Sequence, residues 1–97
     1  MFDKMKQLME LKKQADQLKR LLEAEKLEVN EVRGIKIVVN GAQSFQSIDI
    51  DEGLLTPANK NRIQMELLRS INTAVKKSQQ VAANKMKGMP GLNIPGL

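Results

Sequence analysis

The residues able to do chemistry are few in this chain, and the missing types decide as much as the ones present. Its 97 residues include no histidine and no cysteine. That removes disulfides, thiolate and imidazole metal sites, and nucleophile–base arrangements built on Cys/His or Ser/His. The one acidic cluster is Asp49, Asp51 and Glu52. On a strand, alternate residues share a side, so Asp49 and Asp51 could hold Mg²⁺ through water. The same residues suit a solvated strand end leading into a turn. No general base or phosphate-cradling glycine loop accompanies them, so the sequence predicts no enzyme, no catalytic residue, no metal and no cofactor. Trp and Tyr are absent, and Phe2 and Phe45 are the only aromatics. Their scarcity argues against a small-molecule substrate pocket and against base stacking on single strands.

The lysines are what remains. Residues 1–66 carry 11 basic and 11 acidic side chains, and Glu66 is the last acid. Arg69, Lys76, Lys77, Lys85 and Lys87 follow it without compensation, so the whole formal surplus of +5 falls in residues 67–97. Residues 25–52 are the opposite, with three basic and six acidic groups. A field polarised in this way draws a polyanion to one part of the molecule and repels it from another; the alternative is an ordinary solvated lysine-rich helix. Lys is a flexible point charge suited to phosphate, and Arg, the bidentate base reader, occurs only four times. Such a surface would bind through counterion release, with little base discrimination and steep salt dependence.

These charges need elements to position them. Residues from about Asp3 to Glu25 contain no Gly, Pro or β-branched side chain. Leu8, Leu11, Ala15, Leu18 and Leu22 recur at spacings of three and four, which predicts a helix with a coiled-coil seam. Met5, Met9 and Leu21 widen the stripe, and Asp16 and Arg20 are spaced for an i,i+4 pair. A helix of that length is about 35 Å long, against a radius of gyration near 13 Å for a compact chain of this size. It should overhang its own sheet and need a second helix, from this chain or from another copy. Ile35, Ile37 and Val39 then alternate with Lys36, Val38 and Asn40, as a half-buried strand does. Asn40-Gly41 predicts a type I′ hairpin turn. The returning strand runs from about Gln43 to Ile50, with Phe45 out of phase, the mark of a bulge. A preceding strand, Leu27–Arg33, slips in alternation between Val29 and Val32, and Gly34 makes its turn. Thr56 is placed to cap a second helix, with Pro57 at its first position. Ile63, Leu67, Leu68, Ile71, Ala74, Val75, Val81 and Ala82 supply that helix's apolar stripe as far as Lys87, before Gly88 and Pro90 stop it.

The fold class is therefore α+β: a long helix, a three-stranded antiparallel sheet and a second long helix, in a domain spanning 1–87. A flexible Pro/Gly/Leu tail, 88–97, follows. If the second helix returns down the sheet and runs on beside the first, both free ends meet at one tip. Lys4, Lys6, Lys12 and Lys13 would then join Lys76, Lys77, Lys85 and Lys87 there. With Arg69 these are the candidate DNA contacts. Leu8, Leu11, Leu18, Leu22, Ile37, Val39, Leu67, Ile71 and Asn72 are the candidate core and dimer residues. Asn72 suits either a register-fixing hydrogen bond across a dimer or a contact to DNA.

Several stretches also resemble a family. Met5-Lys6-Gln7 opens the first helix, and Val39-Asn40-Gly41 closes the central strand. Ser47-Ile48-Asp49-Ile50-Asp51 follows with Leu54-Leu55, then Asn72-Thr73-Ala74-Val75-Lys76, then Met89-Pro90-Gly91-Leu92 and Pro95-Gly96-Leu97. In this order they are similar to the YbaB/EbfC family of bacterial nucleoid-associated proteins over essentially the whole chain. The family often has a glycine-rich stretch before the central strand, where this chain has Gly34 alone. The resemblance implies an α–β–α homodimer with projecting helices that binds duplex DNA with little sequence preference, in the cytoplasm at the nucleoid. The rival reading is an adaptor for a DNA repair or replication protein, using the seam and the tail. A membrane-surface role is disfavoured, because no apolar run exceeds three residues and interfacial aromatics are missing.

Overall fold

The computed structural model describes residues 2–88. Helix α1 spans Phe2–Ala24, strands β1, β2 and β3 span Lys26–Val32, Ile35–Asn40 and Phe45–Ile50, and helix α2 spans Lys60–Lys87. The strands form an antiparallel sheet in the order β1-β2-β3, so the expected α+β architecture is the observed one. The expected tail lies outside the described residues except for Gly88.

One face of the sheet makes the core. Val29, Ile35, Ile37 and Val39 are buried there against Ala74 of α2, with Leu27, Val32, Leu54, Leu67 and Ile71 packed around them. Each large aliphatic buried in this way contributes roughly 1.5–3 kcal/mol. α2 can sit close to the strands because Ser70, Ala74 and Ser78, a small residue at every turn, face them.

Both irregularities in the sequence pattern are register shifts. Val29 pairs with Ile37 and Val32 with Ile35, leaving one extra residue in β1. Val38 pairs with Ser47 and Val39 with Phe45, so Gln46 is extra in β3. Each is a β-bulge. The second returns Phe45 to the same face as Ile48 and Ile50.

Two turns differ from expectation. Asn40 and Gly41 do not make a type I′ turn, since the positive φ in this hairpin is at Gln43, at 63°. Asn40 is buried, and its Oδ1 accepts the N–H groups of Ala42 at 3.0 Å and Ser44 at 2.9 Å. This side chain organises a wider loop. Gly41 is needed for proximity instead: a Cβ there would lie 3.0 Å from the Leu22 carbonyl oxygen. Likewise Thr56 and Pro57 do not begin α2 directly. Pro57–Asn59 is a 3₁₀ turn, Thr56 makes no side-chain cap, and Asn59 precedes the helix. The Asn59 amide donates back to Leu54 O at 3.1 Å instead of capping α2.

The molecule measures 66 × 20 × 19 Å, with a radius of gyration of 18.4 Å. The excess over a compact chain comes from α1. Gly41 N–H donates to Leu22 O at 2.8 Å, which anchors only the last turns of that helix to the sheet. Leu18 is buried where α1 passes α2, whereas Met5, Leu8, Met9 and Leu11 are exposed. The overhang read from helix length is present.

Candidate nucleic-acid interface

The relative placement of the basic side chains on the two helices follows from one hydrogen-bonded junction. Ser78 Oγ donates to Asn40 O at 2.8 Å and accepts Gln43 N–H at 3.0 Å. Asn40 Nδ2 donates to Glu23 O at 3.4 Å. The β2–β3 turn, the end of α1 and the middle of α2 therefore meet at one level. From there α1 runs back to Lys4 over about 27 Å, while α2 continues to Gly88 over only about 15 Å. The two helices point the same way, as expected, but their ends do not coincide.

The lysines accordingly gather only in part: Lys12 and Lys13 lie about 14–15 Å from the junction, level with Lys87, whereas Lys4 and Lys6 lie beyond the end of α2. Lys4, Lys6, Lys12 and Lys13 are exposed on the overhanging part of α1, and Lys76 and Lys77 are exposed level with the junction. Arg69 is exposed farther up, over the sheet. Lys85 turns inward to Glu25 at 3.3 Å, tying α2 to the end of α1, and Lys87 is exposed beyond it. The candidates extend along most of the molecule's length.

Helical phase sorts them into two rows. With Ala74 facing the sheet, Arg69, Lys76 and Lys87 fall within about 20° of one another on the outer side of α2. Among the described residues none of the three has an ion-pair partner. Arg69, Asn72, Thr73 and Lys76 line a shallow groove there with Met65 and Leu68. On α1, Lys6, Lys13 and Arg20 are seven residues apart and fall within about 40° of one another, opposite Leu18 and Leu22. Arg20 is an addition to the candidate DNA contacts, since local spacing assigns it to Asp16. That pair does not form; among the described residues the ion pair within this helix is Lys19–Glu23 at 4.0 Å, both exposed. The signal that identifies Arg20 is the seven-residue spacing itself. The two rows face outward on opposite sides of the α1–α2 pair.

The remaining candidates separate by burial. Ile37 and Val39 are core, Leu18 is buried, Leu22, Leu67 and Ile71 are half-buried, and Leu8, Leu11 and Asn72 are exposed. The acids of the sequence cluster line a hollow at the other end of the sheet with Arg33 and Lys36, and Asp49 pairs across the strands with Lys36. Among the described residues no three acids converge as a cation site would require. No described helix is long and apolar enough to cross a membrane.

Fold and surface together define a two-layer α+β protein with a projecting helix and outward basic rows. Residues 1–92 match the family model described as the YbaB/EbfC DNA-binding family, and the chain belongs to that family. A nucleoid-associated protein of Syntrophobacter fumaroxidans is 38% identical over 64 residues, 65% of this chain and 58% of that one. One of Clostridium kluyveri is 30% identical over 95 residues, 96% of this chain and 83% of the relative. The first curated relatives are thus matched over about three-fifths of their length, 58% and 61%. These are names of nucleoid-associated proteins, not of enzymes. A Helicobacter pylori protein described as uncharacterized has the same fold, with a TM-score of 0.78 at 22% identity, covering 94% of this chain and 98% of that one.

Proposed function

We propose that the protein binds duplex DNA as a homodimer at the bacterial nucleoid, with low sequence preference, through contacts from the basic rows to phosphates. The observation that carries this reading is the row Arg69, Lys76 and Lys87. It lies outward on α2, beyond the last acid of the sequence, with no ion-pair partner among the described residues. Lys6, Lys13 and Arg20 supply a second row, with Lys4, Lys12 and Lys77 beside the two. The family description and the relatives' names support DNA as the partner. Because the rows face opposite ways in one protomer, a dimer is the simple means of presenting several of them to one duplex. Charge-to-phosphate contact accounts for weak base discrimination, since point charges position a duplex without reading it.

The test is a low-salt gel shift with a random-sequence duplex and the double variant Lys76→Glu, Lys77→Glu. Retention should fall at least tenfold while the oligomeric mass stays the same. Undiminished retention would remove α2 from the interface. A second reading rests on the exposed Met5, Leu8, Met9 and Leu11, an apolar stripe suited to an adaptor's contact with a repair or replication protein. Salt separates the two, since apolar association survives concentrations that dissolve phosphate contacts.

A further inference from the structure

The two basic rows face away from each other, and that arrangement limits what one duplex can reach. The α2 row, Arg69 to Lys87, spans about 27 Å, and the α1 row, Lys6 to Arg20, about 21 Å. These lengths correspond to roughly eight and six base-pair steps of duplex. Each row borders a shallow groove on its own helix. On α2 the groove is the one holding Arg69, Asn72 and Lys76; on α1 it is lined by Met9, Lys12, Lys13, Asp16, Gln17 and Arg20. Cations outnumber acids in both, two to none and three to one, and each groove holds one side-chain amide, Asn72 or Gln17. Between the grooves lies the thickness of the α1–α2 pair, in a molecule 20 × 19 Å across. DNA is stiff over roughly 50 nm, so no duplex bends around so thin a rod to touch both sides.

We infer that the protein bridges DNA, holding two duplexes at once, one on each side of the helix pair. The inference rests on the DNA-binding reading and adds how many duplexes the rows engage. Two-fold symmetry does not remove the opposition. An axis running from row to row sets like rows side by side, whereas an axis across that line sets the α1 row of one protomer beside the α2 row of its partner. Both arrangements leave basic rows on two opposite sides. A dimer therefore gains contacts to each duplex without merging the two surfaces. The protein's thickness keeps the duplexes apart by more than the Debye length, about 10 Å at 0.1 M salt, so their mutual repulsion is screened. The α1 side is the weaker of the two, because Asp16 lines its groove and no acid follows Glu66 on α2.

Duplex capture by the full chain tests this. A biotinylated random-sequence duplex on beads is loaded with protein at low salt and washed, and a fluorescent duplex of unrelated sequence is then added. The expected result is retention of the fluorescent duplex in proportion to the protein loaded. The double variant Lys6→Glu, Lys13→Glu changes two exposed positions of α1, and circular dichroism checks that its helices persist. It should lower capture at least about tenfold, while protein retained by the first duplex, held mainly through α2, falls no more than about threefold. Protein that stays on the beads yet captures no second duplex overturns bridging and leaves the DNA-binding reading intact. Capture undiminished in the variant also overturns it, since clustering of protein on DNA rather than the α1 row would then join the duplexes. If the first duplex retains no protein at low salt, the DNA-binding reading fails and this inference with it.

Discussion

Asn40 and Ser78 do more than their size suggests, because two short polar side chains satisfy the main chain where three elements meet. Asn40 is 5% exposed and Ser78 fully buried, so their own polar atoms are shielded from water and depend on these protein partners. Asn40→Ala removes the acceptor of the Ala42 and Ser44 N–H groups and should cost roughly 1–3 kcal/mol, read as a lower urea midpoint. Gly41→Ala presses a methyl group against the Leu22 carbonyl and should cost about 1–3 kcal/mol. Ser70 is the contrast. Its Oγ is buried without a partner, as is Glu66 Oε2 one turn before it. Ser70→Ala should therefore be neutral or stabilising by up to about 1 kcal/mol, whereas a clear destabilisation would reveal a partner for the hydroxyl.

At the scale of elements, α1 divides into an anchored half and a free half. Leu18→Ala should cost roughly 2–3 kcal/mol, as for a buried leucine. Leu8→Ala should leave urea stability within about 0.5 kcal/mol, as for an exposed position away from special features. Equal effects would mean that the projecting half is packed. Much of this element plan was legible in the sequence. Unbroken three-and-four spacing in α1, alternation in β2 and the slips at Val29–Val32 and Phe45 each correspond to an observed element or bulge. What was not legible depended on contacts that no local pattern records, some of them between residues remote in sequence. The Asn40-Gly41 pair carries a strong local hairpin preference, but the approach of Leu22 and the bonds available to a buried Asn40 outweigh it. Pro57 begins a 3₁₀ turn, and the Asn59 side chain binds Leu54, a contact no local pattern records. The basic residues were readable as a class. Their division into two rows was not, because it requires knowing which side of each helix is buried.

The whole molecule is a rod with its acidic sheet at one end, and basic rows run along the helices that leave it. Charge reversal should therefore act by position: Lys76→Glu with Lys77→Glu should weaken duplex binding, and Asp49→Lys, at the far end of the sheet, should not. The central claim, attachment through phosphates, is tested most directly by measuring duplex affinity across a series of salt concentrations. A linear fall of log K with log salt is predicted, and the Lys76/Lys77 reversal should flatten its slope by roughly 0.9 for each phosphate it leaves unneutralised. Affinity that stays constant as salt rises, or a slope unchanged by that reversal, would contradict the account.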